Sequence, residues 1–191
     1  MELTPRQTEF ADAALRLLAR DGMASVSFRT VAAETGMSLG AVQKAFPTKD
    51  AMLRVMFARL REQASAPALA EPGRPTLHEW LVDLMVSVLP LDIPRRNAEL
   101  QGAAFAERAA FDPEIAAAVA GSDHELRAAI ARLVHRAHAE GEVPATVEAE
   151  AVAWAVLAFM QGMASQLLYD PLPEDAVRRQ CRWFVDALLR R

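Results

Sequence analysis

The sequence predicts an all-α protein in which a small N-terminal helical domain is joined to a larger helical one. Three features lead there. Alanine and leucine fill long stretches, with apolar residues recurring at helical spacing. Period-two alternation is never sustained and β-branched residues are scattered, so no segment reads as a strand. Glycine and proline fall at intervals that suit helix ends. With 191 residues, 52% of them hydrophobic, the chain is long enough to bury a sizeable core.

The first helix is expected from about Pro5 to Arg20, where Phe10, Ala13, Ala14, Leu17 and Leu18 form the apolar stripe and Pro5 suits the first turn. Asp21-Gly22 stops it. Ser27 is a good N-cap for a short second helix that ends at Thr35 before Gly36. Ser38 caps a third, from Leu39 to Phe46, because Pro47 disfavours helix at the residue before it. Thr48 caps a fourth, with Leu53, Met56, Phe57 and Leu60 as its buried stripe. An Ala- and Pro-rich linker spans Ser65 to Pro75. Further helices are expected at about Thr76–Leu89, Arg95–Arg108, Asp112–Ala120, Ser122–Glu140, Val147–Tyr169 and Pro173–Arg190.

Charge is divided unevenly. The net charge is −4, yet residues 1–61 hold nine basic and six acidic side chains, leaving 12 basic and 19 acidic in the remainder. Only the N-terminal part suits a polyanion. No charged leader with a cleavage site and no apolar run of spanning length is present, so a cytoplasmic protein without membrane contact is expected. Cys181 is single and lies within an apolar pattern, which suits a packed thiol. Phosphate-binding glycine loops, Ser/His/Asp signatures and Cys-x-x-Cys pairs are absent, and His135 and His138 lack a third ligand at motif spacing. Neither an enzyme nor a metal or cofactor site is expected.

Residues 27–53 have the layout of a helix-turn-helix. Gly36 closes a tight turn between two short helices, Ala32 permits their close crossing, and Val31, Met37, Val42 and Phe46 can pack the pair on the first helix. The second helix of such a pair enters the major groove. The order of capping hydroxyl, apolar pair, alanine, turn glycine, Ser-x-Gly, phenylalanine and lysine over roughly residues 7–53 resembles the N-terminal signature of the TetR family of bacterial transcription regulators. That resemblance implies phosphate contacts from Ser27 and Lys49, with Arg29, Thr30, Leu39, Gly40, Ala41 and Lys44 at the groove or its walls. Gln43 and Ala45 stand where the family usually carries tyrosine and histidine. The Gln43 amide could then pair with adenine. Residues 1–48 are expected to form the DNA-binding domain, with helix four (about 49–62) as the link and 49–191 as a ligand-binding and dimerisation domain.

A head this small needs a second copy to read two half-sites. The last two helices are the expected homodimer interface, through Ala155, Ala158 and Gly162 on one and Val177, Cys181, Phe184 and Leu188 on the other. The resemblance also implies an effector pocket in the body, for which Trp80, Met85, Phe105, Trp154, Phe159 and Met163 are the candidates. Their aromatic and thioether character favours a hydrophobic or amphipathic small molecule, and the resemblance implies that such a molecule releases a repressor from operator DNA. The rival reading is a helical adaptor without sequence-specific DNA binding.

Overall fold

The computed structural model describes residues 3–63 and 75–190. Among them are nine α-helices and one 3-10 turn, with no strand, as the periodicity predicts. The helices are α1 (Pro5–Asp21), α2 (Phe28–Thr35), α3 (Leu39–Ala45), α4 (Lys49–Gln63), α5 (Leu77–Val88), α6 (Ile93–Ala109), α7 (Pro113–Ala139), α8 (Ala149–Leu167) and α9 (Glu174–Leu189). Apart from Pro75, the expected linker lies outside the described residues. The chain divides into two compact units, Met1–Ser65 with Asn97–Ala116, and Ala66–Arg96 with Ala117–Arg191.

In the first unit the chain's punctuation sets the helix ends. Thr4 opens α1 with a reciprocal cap: its hydroxyl accepts from the Gln7 backbone N–H at 3.2 Å, and the Gln7 side chain accepts from the Thr4 N–H at 3.1 Å. Gly36 ends α2 in the left-handed region at φ 66°, where a side chain would be strained. Phe46 is extended ahead of Pro47, and α3 stops there. The buried side chains Phe10, Val31, Val42, Phe46, Met52 and Met56 join these helices. Phe10 and Phe46 meet edge-on with ring centroids 6.2 Å apart, and each such burial contributes about 1.5–3 kcal/mol.

Residues of α6 complete this unit. Phe105 is fully buried and lies edge-on to Phe57 of α4 at 5.2 Å. Gln101, also buried, donates to the Leu15 carbonyl of α1 at 2.9 Å. Two arginines add ties: Arg108 reaches Asp50 at 3.4 Å, and Arg54 pairs with Glu114.

In the second unit α5 packs along α9. The inward face of α9 is Val177, Cys181, Val185 and Leu189, all buried among the core side chains of α5, α7 and α8. Phe159 of α8 and Phe184 of α9 stack with centroids 4.0 Å apart and planes 10° apart.

One boundary differs from expectation. Gly121-Ser122 does not divide two helices, because α7 runs unbroken from Pro113 to Ala139. Gly121 does not adopt a positive φ. A glycine inside a helix costs about 1 kcal/mol, less than the burial of Ile115 and Ile130 on either side of it stabilises. The start of α7 is legible in the sequence after all: Asp112 accepts from the Glu114 and Ile115 N–H groups, and these bonds hold its carboxyl below the usual aspartate range.

Candidate nucleic-acid interface

α3 shows two faces. Val42 is fully buried, while Leu39, Gly40, Gln43 and Lys44 are exposed at helical spacing and form one continuous outward face. Gly40 has no Cβ and only the Ser38 hydroxyl nearby, at 3.9 Å from where one would sit, so backbone can approach a partner closely here. Ala41 is half-buried at the edge of that face. Gln43 has an amide with no partner among the described residues.

The cations of this unit fall into two groups. Arg6 pairs with Glu9, Arg16 and Arg20 with Glu34, Arg54 with Glu114, and Arg59 with Asp12 and Glu62. Arg29, Lys44 and Lys49 are exposed and have no ion pair among the described residues. These three stand at the start of α2, on α3 and at the start of α4. Leaving a cation unpaired while its neighbours are neutralised preserves positive potential for phosphate. Lys49 and the open backbone N–H groups at the start of α4 add to each other there.

Ser27 and Thr30 are placed differently. The Ser27 hydroxyl accepts from the Thr30 N–H at 3.2 Å, and the Thr30 hydroxyl accepts from the Ser27 N–H at 2.9 Å and donates to the Ser25 carbonyl at 2.7 Å. Thr30, expected at the groove, thus has its hydroxyl committed to holding the start of α2. Ser27 is half-buried, and its hydroxyl lies 3.0 Å from that of Thr30, so it too is engaged in this cap.

The candidate effector residues are not gathered in one place. Trp80 and Met85 are buried in the core of the second unit, and the Trp80 indole N–H has no acceptor among the described residues. Phe159 and Met163 are half-buried against the same core. Trp154 is 60% exposed, with the Arg127 guanidinium 3.8 Å above its ring, so it lines no interior. Phe105 belongs to the first unit, where it packs on Phe57. A cavity of about 360 Å³ opens between α5 and α9 at Leu77, Val143, Asp186 and Leu189 and includes none of these candidates.

The candidate interface residues also separate. Ala158 and Gly162 of α8 are exposed and Ala155, Phe184 and Leu188 half-buried. Val177 and Cys181 are fully buried inside their own unit and have no surface to offer a second chain. Heptad spacing finds an apolar face but not what covers it. Burial also pushes the Cys181 thiol up to about 11, which keeps it protonated and unreactive. Trp183, 68% exposed on the outer face of α9, was not singled out from the sequence. Its signal was an aromatic two residues past Cys181, off the buried stripe. Gln101 was missed too, although a glutamine one turn before Phe105 marks a polar side chain on an apolar face.

Residues 10–56 match the family described as bacterial regulatory proteins, tetR family, and residues 75–190 match the BetI-type transcriptional repressor C-terminal family. The HTH-type nicotine-responsive transcriptional repressor HdnoR of Paenarthrobacter nicotinovorans is 30% identical over 191 residues, which cover 97% of this chain and 95% of that protein. A transcriptional regulator from Rhodococcus sp. Rha1 has the same fold, with a TM-score of 0.80 and 26% identity over 97% of this chain and 96% of that one. The multidrug binding protein EbrR, complexed with ethidium, matches with a TM-score of 0.70 and 25% identity over 96% and 98%. A helix-turn-helix head followed by a helical body defines a DNA-binding transcription regulator. The chain belongs to the TetR family, whose members are transcription factors rather than enzymes.

Proposed function

We propose that this chain represses transcription as a homodimer and leaves its operator when an organic cation binds. The observation that carries the DNA half of this reading is the set of unpaired cations Arg29, Lys44 and Lys49 beside the exposed face of α3. Arg29, Lys44 and Lys49 hold phosphate and the groove walls, Leu39, Gly40 and Ala41 allow close approach, and Gln43 reads a base edge. The adaptor reading does not explain why, among the described cations of the first unit, those beside α3 are the ones without an ion pair.

The second copy docks on the outer face of α8 and α9, where Ala158, Gly162 and Trp183 are exposed. Small residues on one helix and a large aromatic on the next suit mutual packing across a two-fold axis. Two heads then sit at half-sites about one helical turn apart.

For the effector, the nicotine-responsive relative and the ethidium complex point to one chemistry. Both molecules join a flat apolar body to a positively charged nitrogen at neutral pH. Release works through α6, which holds α4 by Phe105 on Phe57 and by Arg108 on Asp50. A shift of α6 moves Lys49 with α4 and changes the spacing of the heads, and a coupling of about 1–3 kcal/mol alters operator affinity roughly 5- to 150-fold.

Fluorescence anisotropy on DNA from upstream of the protein's own gene, against a scrambled duplex over a salt series, tests this reading. Salt-sensitive preference for the upstream DNA that nicotine or ethidium analogues reverse supports it. Absence of binding at low salt overturns it in favour of the adaptor.

A further inference from the structure

Gln7, half-buried in the first turn of α1, serves two helices at once. Its side-chain oxygen accepts from the Thr4 N–H at 3.1 Å, and its side-chain nitrogen donates to the Ala45 carbonyl at 3.3 Å. A backbone N–H can meet only an acceptor, so the cap of α1 fixes which end of the amide faces Thr4 and turns the NH2 toward the end of α3. The Ala45 carbonyl needs that donor. The chain leaves the helix at Phe46, Pro47 has no N–H, and no backbone N–H reaches this carbonyl among the described residues.

α3 depends on ties of this kind for its orientation. It has seven residues, too few to be stable alone. Among the described residues of α3 only Val42 is buried, and Phe46 anchors the chain just beyond its end. Two anchors on one side of a helix still let it roll, which turns Gln43 and Lys44 sideways, whereas a hydrogen bond to its backbone opposes the roll. The first turn of α1 reaches both ends of α3. The Arg6 guanidinium, held by Glu9 at 3.0 Å, lies 3.7 Å from the Met37 sulfur just ahead of α3, and Gln7 holds the last residue of α3. Thioether sulfur is a weak acceptor, so Gln7 makes the firmer tie.

We propose that Gln7 is a positioning residue for base recognition: it fixes the roll of α3, and with it the reach of the Gln43 amide, while Gln43 makes the contact. This rests on the reading of the exposed face of α3 as the surface that meets the bases. Gln43 stands two residues before Ala45 on the same short helix. An amide that pairs with a base edge through both of its polar atoms tolerates only about 0.5 Å and roughly 10–20° of misplacement. Sequence preference is then set in part by a side chain that lies outside the helix-turn-helix and 38 positions before the carbonyl it holds.

Gln7→Glu separates this role from stability. The carboxylate still accepts from Thr4 and suits the start of a helix, so the protein should melt no lower than wild type, but it has no hydrogen to give Ala45. Gln7→Met removes the donor without adding charge. A randomised duplex pool yields the sequence that wild type prefers, and affinity for that duplex is compared with affinity for a scrambled one. The ratio is the readout, because a charge added near DNA moves both affinities alike. It should fall at least about fivefold in both variants, and in Gln7→Glu with no drop in thermal midpoint. In the DNA-free variants the α3 backbone amides should exchange with deuterium faster, while those in the middle of α1 keep their protection. An unchanged ratio in either variant overturns the assignment. Wild type that selects no sequence from the pool overturns α3 as the base reader; the exchange measurement, which needs no DNA, then decides whether Gln7 holds α3, and unchanged α3 exchange overturns that hold.

Discussion

The Gln101 side-chain amide donates to the backbone carbonyl of Leu15 at 2.9 Å, joining α6 to the middle of α1 from a buried position. A buried amide that finds its acceptor contributes modestly, whereas the geometry it enforces is specific.

Gln101→Leu keeps the volume and removes the bond, and should cost about 1 kcal/mol. Thermal denaturation should show a midpoint lower by about 2–4 °C, the size expected for a chain of this length. Operator affinity should be less sensitive to effector in the same variant, because α6 is then less firmly held to the head.

Gln43→Ala should flatten the preference at a single base pair of each half-site, where adenine is favoured, by about 1–3 kcal/mol. Selection from a randomised duplex pool reads this directly. Loss of affinity spread evenly over all sequences would instead make Gln43 a phosphate contact.

Lys49→Ala should behave in the opposite way. Binding to every duplex should weaken alike, and the slope of log affinity against log salt should fall by about one unit. An unchanged slope would remove Lys49 from the phosphate contacts.

Gly162→Trp places a bulky ring on the outer face of α8, where a Cβ meets nothing within 4 Å inside the chain. The chain should fold as before but sediment as a monomer, and operator binding should fall with dimer concentration. A variant that remains dimeric would move the interface away from this face.

Glu99→Gln should change stability with pH in a defined direction. The folded-state pKa is raised above the unfolded value by burial. Its stabilising contribution is therefore full below the unfolded value of about 4.3 and lost as pH rises through the raised folded value. At about pH 7 the variant should melt higher than wild type, and near pH 4 the difference should close.

The head was legible because its turns are written in residues with few alternatives. Gly36 needs its left-handed backbone and Pro47 forbids helix before it, so α2 and α3 follow within a residue. At Gly121 the same punctuation misleads, since glycine permits a break without requiring one, and the apolar stripe from Ile115 to Ile130 decides. Val177 and Cys181 reveal another limit. Their spacing marks them as apolar and inward, while whether the covering surface is their own chain or a second one depends on α5, far away in sequence. Thr30 looked available because a hydroxyl at the start of a helix reads alike whether it faces solvent or closes a cap. Glu99 was indistinguishable from a solvated surface charge, because desolvation is a property of neighbours and not of the residue.

The three tryptophans occupy two environments: Trp80 in a dry core, Trp154 and Trp183 largely in water. Indole emission moves to the blue as water leaves the ring. The separated protein should thus glow with a wet, red-shifted signal from two surface indoles over a blue background from the third, and covering the outer face of α8 and α9 should draw the spectrum toward the blue. The molecule carries its own optical gauge of assembly, readable without a dye or a label.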